Sequence, residues 1–281
     1  MFLIVVILYN PNNSVLKLLD DLSELDKIII DNSDVINQNL LYNIKQKKNC
    51  IYKNYSVNMG IAKSLNNAAR EAIEMGYSHI VSLDQDSELD DKLLNQLWND
   101  LNSLKLIDNI ATFSPRHIIN GVSHDDLVEN YANDIFGLQS ANFINLSIWK
   151  KINGFNEELF IDMVDTEYYI RAKLAGYSCI TCNKITMQHH VGENVKELKI
   201  FGKYIRAFNH SPIRKYYQAR NFLYVYFKYR RVLPEVKYFL KVILVMPISI
   251  LIFESDKLKK LSYYCNGMKD FLNNRMGKLI E

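Results

Sequence analysis

Ile80-Val81-Ser82-Leu83-Asp84-Gln85-Asp86-Ser87 is a short apolar strand that runs directly into two carboxylates one residue apart. In an open parallel sheet, ligands collect beyond the carboxyl ends of the strands. A D-x-D pair there suits a hard divalent cation, which takes oxygen ligands and leaves positions open for phosphate. The same letters also make an ordinary polar turn into a helix, with Ser87 as N-cap and Glu88 in the first turn. The surrounding sequence decides between the two.

Upstream, Leu3 to Leu8 is apolar and ends at the turn-rich Tyr9-Asn10-Pro11-Asn12-Asn13. It has no basic region before it and no small-residue cleavage site, and it is too short to span a bilayer, so it reads as a buried first strand. An amphipathic helix with Val15, Leu16, Leu18, Leu19 and Leu22 follows. A second strand, Lys27 to Ile30, ends at Asp31-Asn32-Ser33, and a third covers about Cys50 to Tyr55. Asn58-Met59-Gly60-Ile61-Ala62-Lys63 then opens a helix carrying Leu65, Ala68, Ala69, Ala72 and Ile73, and the fourth strand is His79 to Leu83. Apolar strands alternating with helices predict an α/β fold with a doubly wound, mostly parallel sheet flanked by helices. Polar residues end strands one, two and four, which predicts a cleft lined by Tyr9, Asn10, Asp31, Asn32, Asp84 and Asp86. No G-x-G-x-x-G follows strand one and no G-x-x-x-x-G-K-[ST] occurs. A dinucleotide dehydrogenase and a P-loop NTPase are both disfavoured, and the phosphates of a bound nucleotide call for metal rather than a glycine-rich cradle.

Downstream, Leu93, Leu94, Leu97 and Leu101 mark an amphipathic helix. A strand from Ile110 to Ser114, a loop from His117 to Asn133, a strand from Gln139 to Leu146 and a short helix from Ser147 to Ile152 follow. Asp162 can cap the next helix, Glu167 and Arg171 make an i,i+4 ion pair within it, and Gly176 ends it. Asp165 reads either as a first-turn acid favoured by the helix dipole or as a carboxylate facing the cleft. His189 reads as a hydrogen-bonded surface residue or as a metal ligand. Ser140, Asn142, Trp149 and Arg214 are expected on the acceptor side of such a cleft, from position alone.

With 281 residues, 48% hydrophobic and 23% charged, the chain has the composition of a folded protein, with room for one large α/β domain and an appendage. Cys179 and Cys182 form C-x-x-C on a strand, where the two thiols face opposite ways, and no second pair completes a zinc site. All four cysteines read as reduced structural residues of a cytosolic protein. Charge is unevenly spread: from Glu193 onward 18 Lys/Arg face 7 Asp/Glu, while the first 192 residues hold 16 against 24. A basic tail behind an acidic front points to an anionic partner. Arginine and aromatic residues interleave from His210 to Arg231, but no compact RNA-binding signature is present and the acidic front repels a polyanion, so nucleic acid is not expected. Val236 to Phe253 is almost wholly apolar yet carries Lys237, Lys241 and Pro247. It reads as a helix lying on an anionic membrane surface, or as a core helix.

Tyr9-Asn10-Pro11, Asp31-Asn32-Ser33, Asn58-x-Gly60-Ile61-Ala62, Leu83-Asp84-Gln85-Asp86-Ser87 and Gly154-Phe155-Asn156-Glu157 occur in this order, followed by Leu159-Phe160-Ile161-Asp162-Met163-Val164-Asp165-Thr166-Glu167, Arg171, Gly176-Tyr177, His189-x-x-Gly192, Arg214-x-Tyr216-Tyr217 and Arg220-Asn221. From residue 3 to about 230 the chain resembles the inverting family 2 glycosyltransferases of the GT-A fold, in the bacterial branch that contains rhamnosyltransferases. The resemblance implies a GT-A domain over residues 1–200 and a helical, basic and apolar extension over 201–281. It implies a donor site that includes Tyr9, Asn10, Asp31, Asn32, Asn58, Gly60, Lys63, Asp84 and Gln85. Mg²⁺ or Mn²⁺ would sit on Asp86 with His189, an assignment that His190 makes ambiguous by one residue, and Asp165 would be the general base. The implied partners are a dTDP- or UDP-linked sugar, best matched by dTDP-rhamnose with UDP-galactofuranose or a UDP-hexose as alternatives, and a lipid-linked saccharide acceptor for O-antigen or capsule. The implied location is cytoplasmic, peripheral on the inner face of the plasma membrane. The oligomeric state is left open, a homo-oligomer included. The rival from another class is a non-catalytic sugar-nucleotide or glycan-binding module.

Overall fold

Runs such as Ile4-Val5-Val6-Ile7 and Ile28-Ile29-Ile30 are too short for helices and rich in β-branched residues, so they form strands buried on both faces. The computed structural model describes residues 1–119, 129–133, 135, 140–189, 196–200, 203–207 and 209–280. By contacts the chain forms two compact units, Met1–Glu157 with Val164–His189, and Glu158–Met163 with His190–Glu281. The short stretch 158–163 thus belongs with the C-terminal elements rather than with the chain on either side of it.

The first unit is built on one eight-stranded sheet. Its strands are β1 (Phe2–Leu8), β2 (Lys27–Asp31), β3 (Cys50–Asn54), β4 (His79–Asp84), β5 (Ile110–Ile119), β6 (Tyr131–Asn133), β7 (Asn142–Asn145) and β8 (Ser178–His189), in the order β3-β2-β1-β4-β7-β5-β8-β6. The four N-terminal strands are mutually parallel. β7 runs antiparallel between β4 and β5, β8 is parallel to β5, and β6 closes the edge antiparallel to β8. Helices α1 (Ser14–Asp21), α2 (Gln38–Lys45), α3 (Gly60–Glu74), α4 (Asp91–Ser103), α5 (Leu146–Lys151) and α6 (Val164–Leu174) belong to the same unit. Ile4, Val6 and Leu8 of β1 pack with α1, α2 and α4 in one cluster. The alternate residues Leu3 and Val5 are equally buried, and α3 packs on β1 and β4 with Ala62, Leu65, Ala68, Ala69 and Ala72 inward. Alternating side chains therefore serve two helical layers, the arrangement expected of a doubly wound sheet. Strand β5 extends to Ile119 and β6 covers Tyr131–Asn133, so both ends of the expected His117–Asn133 loop are strand.

The second unit contains the antiparallel pair β9 (Lys196–Ile200) and β10 (Lys203–Ala207), and the helices α7 (Pro212–Tyr229), α8 (Lys237–Phe253) and α9 (Lys257–Leu272). Helix α7 starts as its sequence dictates: the Ser211 side chain accepts from the Arg214 N–H and Pro212 takes the first turn. Within α8, Pro247 lacks an N–H and so leaves the Ile243 carbonyl without its helical donor. The Tyr264 hydroxyl of α9 donates to that carbonyl at 2.9 Å instead. Helices α7 and α9 meet at Gly267, where a Cβ would lie 2.3 Å from the Tyr216 carbonyl oxygen. Gly267→Ala is therefore expected to destabilise the protein by about 2 kcal/mol, although alanine is the better helix former. Urea unfolding measures this, and an unchanged midpoint would show that the helices separate without cost.

Candidate functional site

Strand register sets the site. Leu8 pairs with Asp31, Asp31 with Asn54, and Ile7 with Asp84, so the four parallel strands end level. Asp31 and Asp84 stand two strands apart, which is about 10 Å of sheet. The loops beyond these ends are tied to each other. Asn10 adopts a left-handed conformation (φ 46°) and donates its N–H to Ser33 Oγ at 2.8 Å. The Tyr9 N–H goes to Gln85 Oε1 at 2.9 Å, which joins the strand-one loop to the D-x-D loop.

Asp31 is buried, and both its oxygens are engaged. Oδ1 accepts the Ser33 N–H and Oδ2 the Tyr52 hydroxyl, each at 2.8 Å. Burial and the adjacent carboxylate push the Tyr52 hydroxyl far up, so it stays a donor. Asn32 is turned inward, donating to Ser64 Oγ at 2.9 Å and to the Gly60 carbonyl at 3.3 Å. It fixes the start of α3. Asn58 does similar work, accepting the Gly60 N–H at 2.9 Å, and Gly60 itself sits at φ 76°, which a side chain would strain. Lys63 is exposed one turn further on.

Asp84 is half-buried at the end of β4. Asp86 is exposed and has no protein partner among the described residues. Ser87, which sequence allowed as a helix cap, is buried and pairs with Ser140 Oγ at 2.7 Å, while Asp90 caps α4 through the Leu93 N–H. The Ser140 carbonyl in turn meets His117 Nε2 at 2.8 Å. Asn142 donates to the Tyr169 hydroxyl at 2.6 Å, and its own Oδ1 has no hydrogen-bond partner among the described residues. Tyr169 stands one helical turn after Asp165, on the same face of α6. Asp165 is half-buried in the first turn of α6 and accepts the Thr166 N–H at 2.8 Å. His189 is the last residue of β8, opposite Ile119, and His190 lies outside the described residues. Among the described residues no group of three or more His, Cys, Asp or Glu is placed to hold a metal unaided.

No family model matches the chain. The dTDP-rhamnosyl transferase RfbF of Shigella flexneri is 27% identical over 77% of this chain and 77% of its own length. Among solved structures, GalNAc-T7 with UDP, GalNAc and Mn²⁺ superposes with a TM-score of 0.56 at 12% identity, covering 97% of this chain and 56% of that one. S. aureus TarS gives 0.51 at 15% identity, covering 97% of this chain and 43% of that one. At these identities the structural likenesses establish the fold, and the sequence relative gives the activity class. The chain is a GT-A glycosyltransferase. Its sequence relative is of the rhamnosyltransferase type.

Several residues that brace the elements around the candidate site carry no motif of their own. Asn66, on the buried side of α3, uses its whole amide. Oδ1 accepts the Phe155 N–H at 2.8 Å and the Trp149 indole N–H at 3.2 Å, while Nδ2 donates to the Phe155 carbonyl and to Glu157 Oε1, both at 2.9 Å. Trp149 is thereby enclosed as part of the scaffold. The fully buried Glu167 pairs with Arg171 at 2.8 Å, and Arg171 donates to the Ile152 and Gly154 carbonyls. Of the two acids in this turn, Glu167 is committed to the scaffold. Tyr52 and Asn66 were detectable only as polar residues standing in otherwise apolar faces.

In the second unit of the glycosyltransferase, Asp162 is tied to the start of α7. Its carboxylate meets the Arg214 guanidinium at 3.2 Å, so Arg214 is engaged there too. Phe160, Asp162 and Met163 all have left-handed backbones, with φ between 60° and 67°. Such non-glycine residues cost of order 1–3 kcal/mol each and persist only where their surroundings over-determine them. Asn221 supplies the constraint, donating to the Leu159, Ile161 and Asp162 carbonyls at 2.9, 2.6 and 3.0 Å. The fully buried Arg220 adds bonds to the Glu158 and Leu159 carbonyls and lies over the Tyr216 and Tyr217 rings. The Arg-Asn pair near residue 220 therefore shapes the chain that leads into α6.

Proposed function

We propose that the enzyme transfers L-rhamnose from dTDP-rhamnose, with inversion at the anomeric carbon, to a lipid-linked glycan of bacterial surface polysaccharide. The reading rests on one arrangement: acids at the level ends of β2 and β4, and a separate carboxylate, Asp165, at the start of α6. Asp31 retains acceptor lone pairs for a base N–H beyond its bonds to Ser33 and Tyr52, and the Tyr9-Asn10 loop flanks the ribose. Asp84 and Asp86 suit Mg²⁺ or Mn²⁺: two carboxylate side chains leave most of an oxygen shell to a diphosphate, and Asp86 stands exposed without a protein partner among the described residues. His189 is the further ligand implied by resemblance. When bound, the cation stabilises the charge that develops on the departing diphosphate.

Asp165 takes the proton of the acceptor hydroxyl as its oxygen attacks the anomeric carbon. The sugar–phosphate bond breaks, its electron pair leaves with dTDP, and a single displacement inverts the centre. No second carboxylate nucleophile is needed. A lipid-linked acceptor places the enzyme on the cytoplasmic side, against the membrane.

The test is calorimetric titration of dTDP, UDP and GDP into the full chain with and without Mn²⁺. We expect dTDP to bind with the metal, and Asp86→Ala to weaken that binding by at least about tenfold. Preference for UDP would move the donor to a UDP-hexose or UDP-galactofuranose. No nucleotide binding at all would sink the reading.

A further inference from the structure

We infer that the enzyme lies on an anionic bilayer through one face of α8, with the helix in the membrane plane rather than across it. The inference deepens the lipid-linked acceptor reading and rests on it for its purpose, while its physical basis is the helix itself. From Pro234 to Phe253 the segment is long and apolar enough to cross a membrane by length and composition, with a mean hydropathy of 2.1 over its most apolar 18 residues. Its two sides have different fates. Ile243, Met246 and Ile250 are buried with Ala219, Leu223 and Tyr264, and Phe239 stacks on Phe222. The Ile243 carbonyl is also held by Tyr264. A spanning helix would have to give up this core and expose that carbonyl to lipid.

The opposite side is apolar and uncovered. Leu244 (65% exposed), Val245, Ile248, Leu251 and Ile252 recur at helical spacing and form one stripe. Contiguous aliphatic surface of this kind marks an interaction face. Lys241 and Lys237 continue the stripe one and two turns before Leu244, where their stems can lie along lipid with the ammonium groups at the head groups. No acid occurs between Lys237 and Phe253, and exposed Arg230, Arg231, Lys257 and Lys259 flank the helix. The exposed acids nearby are Glu235 and Asp256, so the rim is basic on balance. That rim selects the occupant. A second copy docked on the same face would bring like charges together, whereas anionic lipid complements them.

The experiment is flotation of the full chain with phosphatidylglycerol or phosphatidylcholine vesicles. Wild type should bind phosphatidylglycerol in preference, and alkaline carbonate should release it. Ile248→Glu with Leu251→Glu should lose at least about tenfold in partitioning. Lys237→Glu with Lys241→Glu should lose a comparable factor on phosphatidylglycerol alone. Melting curves and dTDP titrations on the same variants report folding and the donor site separately, so failure here leaves the donor reading standing, and the reverse. Equal binding by the aliphatic variant overturns the inference, as does no wild-type binding. Retention after carbonate would mean a spanning helix. A wild-type dimer that the aliphatic variant dissociates, without vesicle binding, would assign the face to a second copy.

Discussion

Asp165→Asn should lower kcat by about 10³-fold while leaving metal-dependent dTDP affinity within about twofold. Asparagine has the same shape, and its Oδ1 can still accept the Thr166 N–H that Asp165 accepts at 2.8 Å. The first turn of α6 therefore survives, and what disappears is the capacity to take a proton. In the proposed arrangement the donor row lies at the ends of β1, β2 and β4, not on α6, so nucleotide binding has no reason to change. Glu167→Gln is the discriminating control. Glu167 is fully buried against Arg171, which in turn holds the Ile152 and Gly154 carbonyls. Its loss should lower the unfolding midpoint while the folded fraction keeps most of its kcat. Initial rates with dTDP-rhamnose and purified acceptor, read beside denaturation curves, separate the two roles. A kcat loss under tenfold for Asp165→Asn would remove it as the base.

The parallel half of the sheet was legible because its strands are uninterrupted apolar runs that finish in polar turns. Four such runs give four strands, and Asp31 and Asp84 are conspicuous because a carboxylate directly after Ile30 or Leu83 has no packing role. The other half was less legible. β7 has only four residues, Asn142–Asn145, and nothing in them announces that they enter antiparallel between β4 and β5. Strand direction there follows from long-range pairing, which local pattern does not encode. Asp162 shows a different limit. As a sequence it is a good cap just ahead of a helix, and nothing local announces that an arginine 52 positions away pairs with its carboxylate. Trp149 and Asn32 likewise lie beside the residues of interest in sequence yet turn inward, and only side-chain partners reveal that. Conversely, Asn66 lies within an alanine-rich helix and becomes recognisable as a bracket for Phe155 and Glu157 only when the chain is folded.

Glu254→Ala should be among the most damaging single changes outside the proposed catalytic site, costing about 3–5 kcal/mol. Glu254 is 1% exposed and sits between two buried lysines, with Lys215 Nζ at 2.7 Å and Lys260 Nζ at 3.0 Å. The geometry leaves two ammonium groups sharing one carboxylate, with Asn209 Oδ1 accepting a further bond from Lys260 at 2.6 Å. Burial and the charges of Arg214, Lys215 and Lys260 push nearby His210 down to about 3, so it adds no further positive charge at neutral pH. Burial already pulls Lys215 below the ordinary lysine range, and the hydrogen bond and charge of Glu254 are what oppose that pull. Removing the carboxylate lowers the folded-state value further while the unfolded one stays put. Between the two values the unfolded chain binds more protons, so stability rises with pH. The deficit of Glu254→Ala against wild type should therefore shrink as pH is raised from neutral toward the ordinary lysine range. Replacing all three groups with methionine or leucine should recover most of the loss, since a well-packed apolar trio needs no desolvation of charge. Guanidinium unfolding of the single and triple variants at two pH values measures both effects. A single-variant cost under about 1 kcal/mol would mean that water reaches the lysines and that the cluster is a surface ion pair.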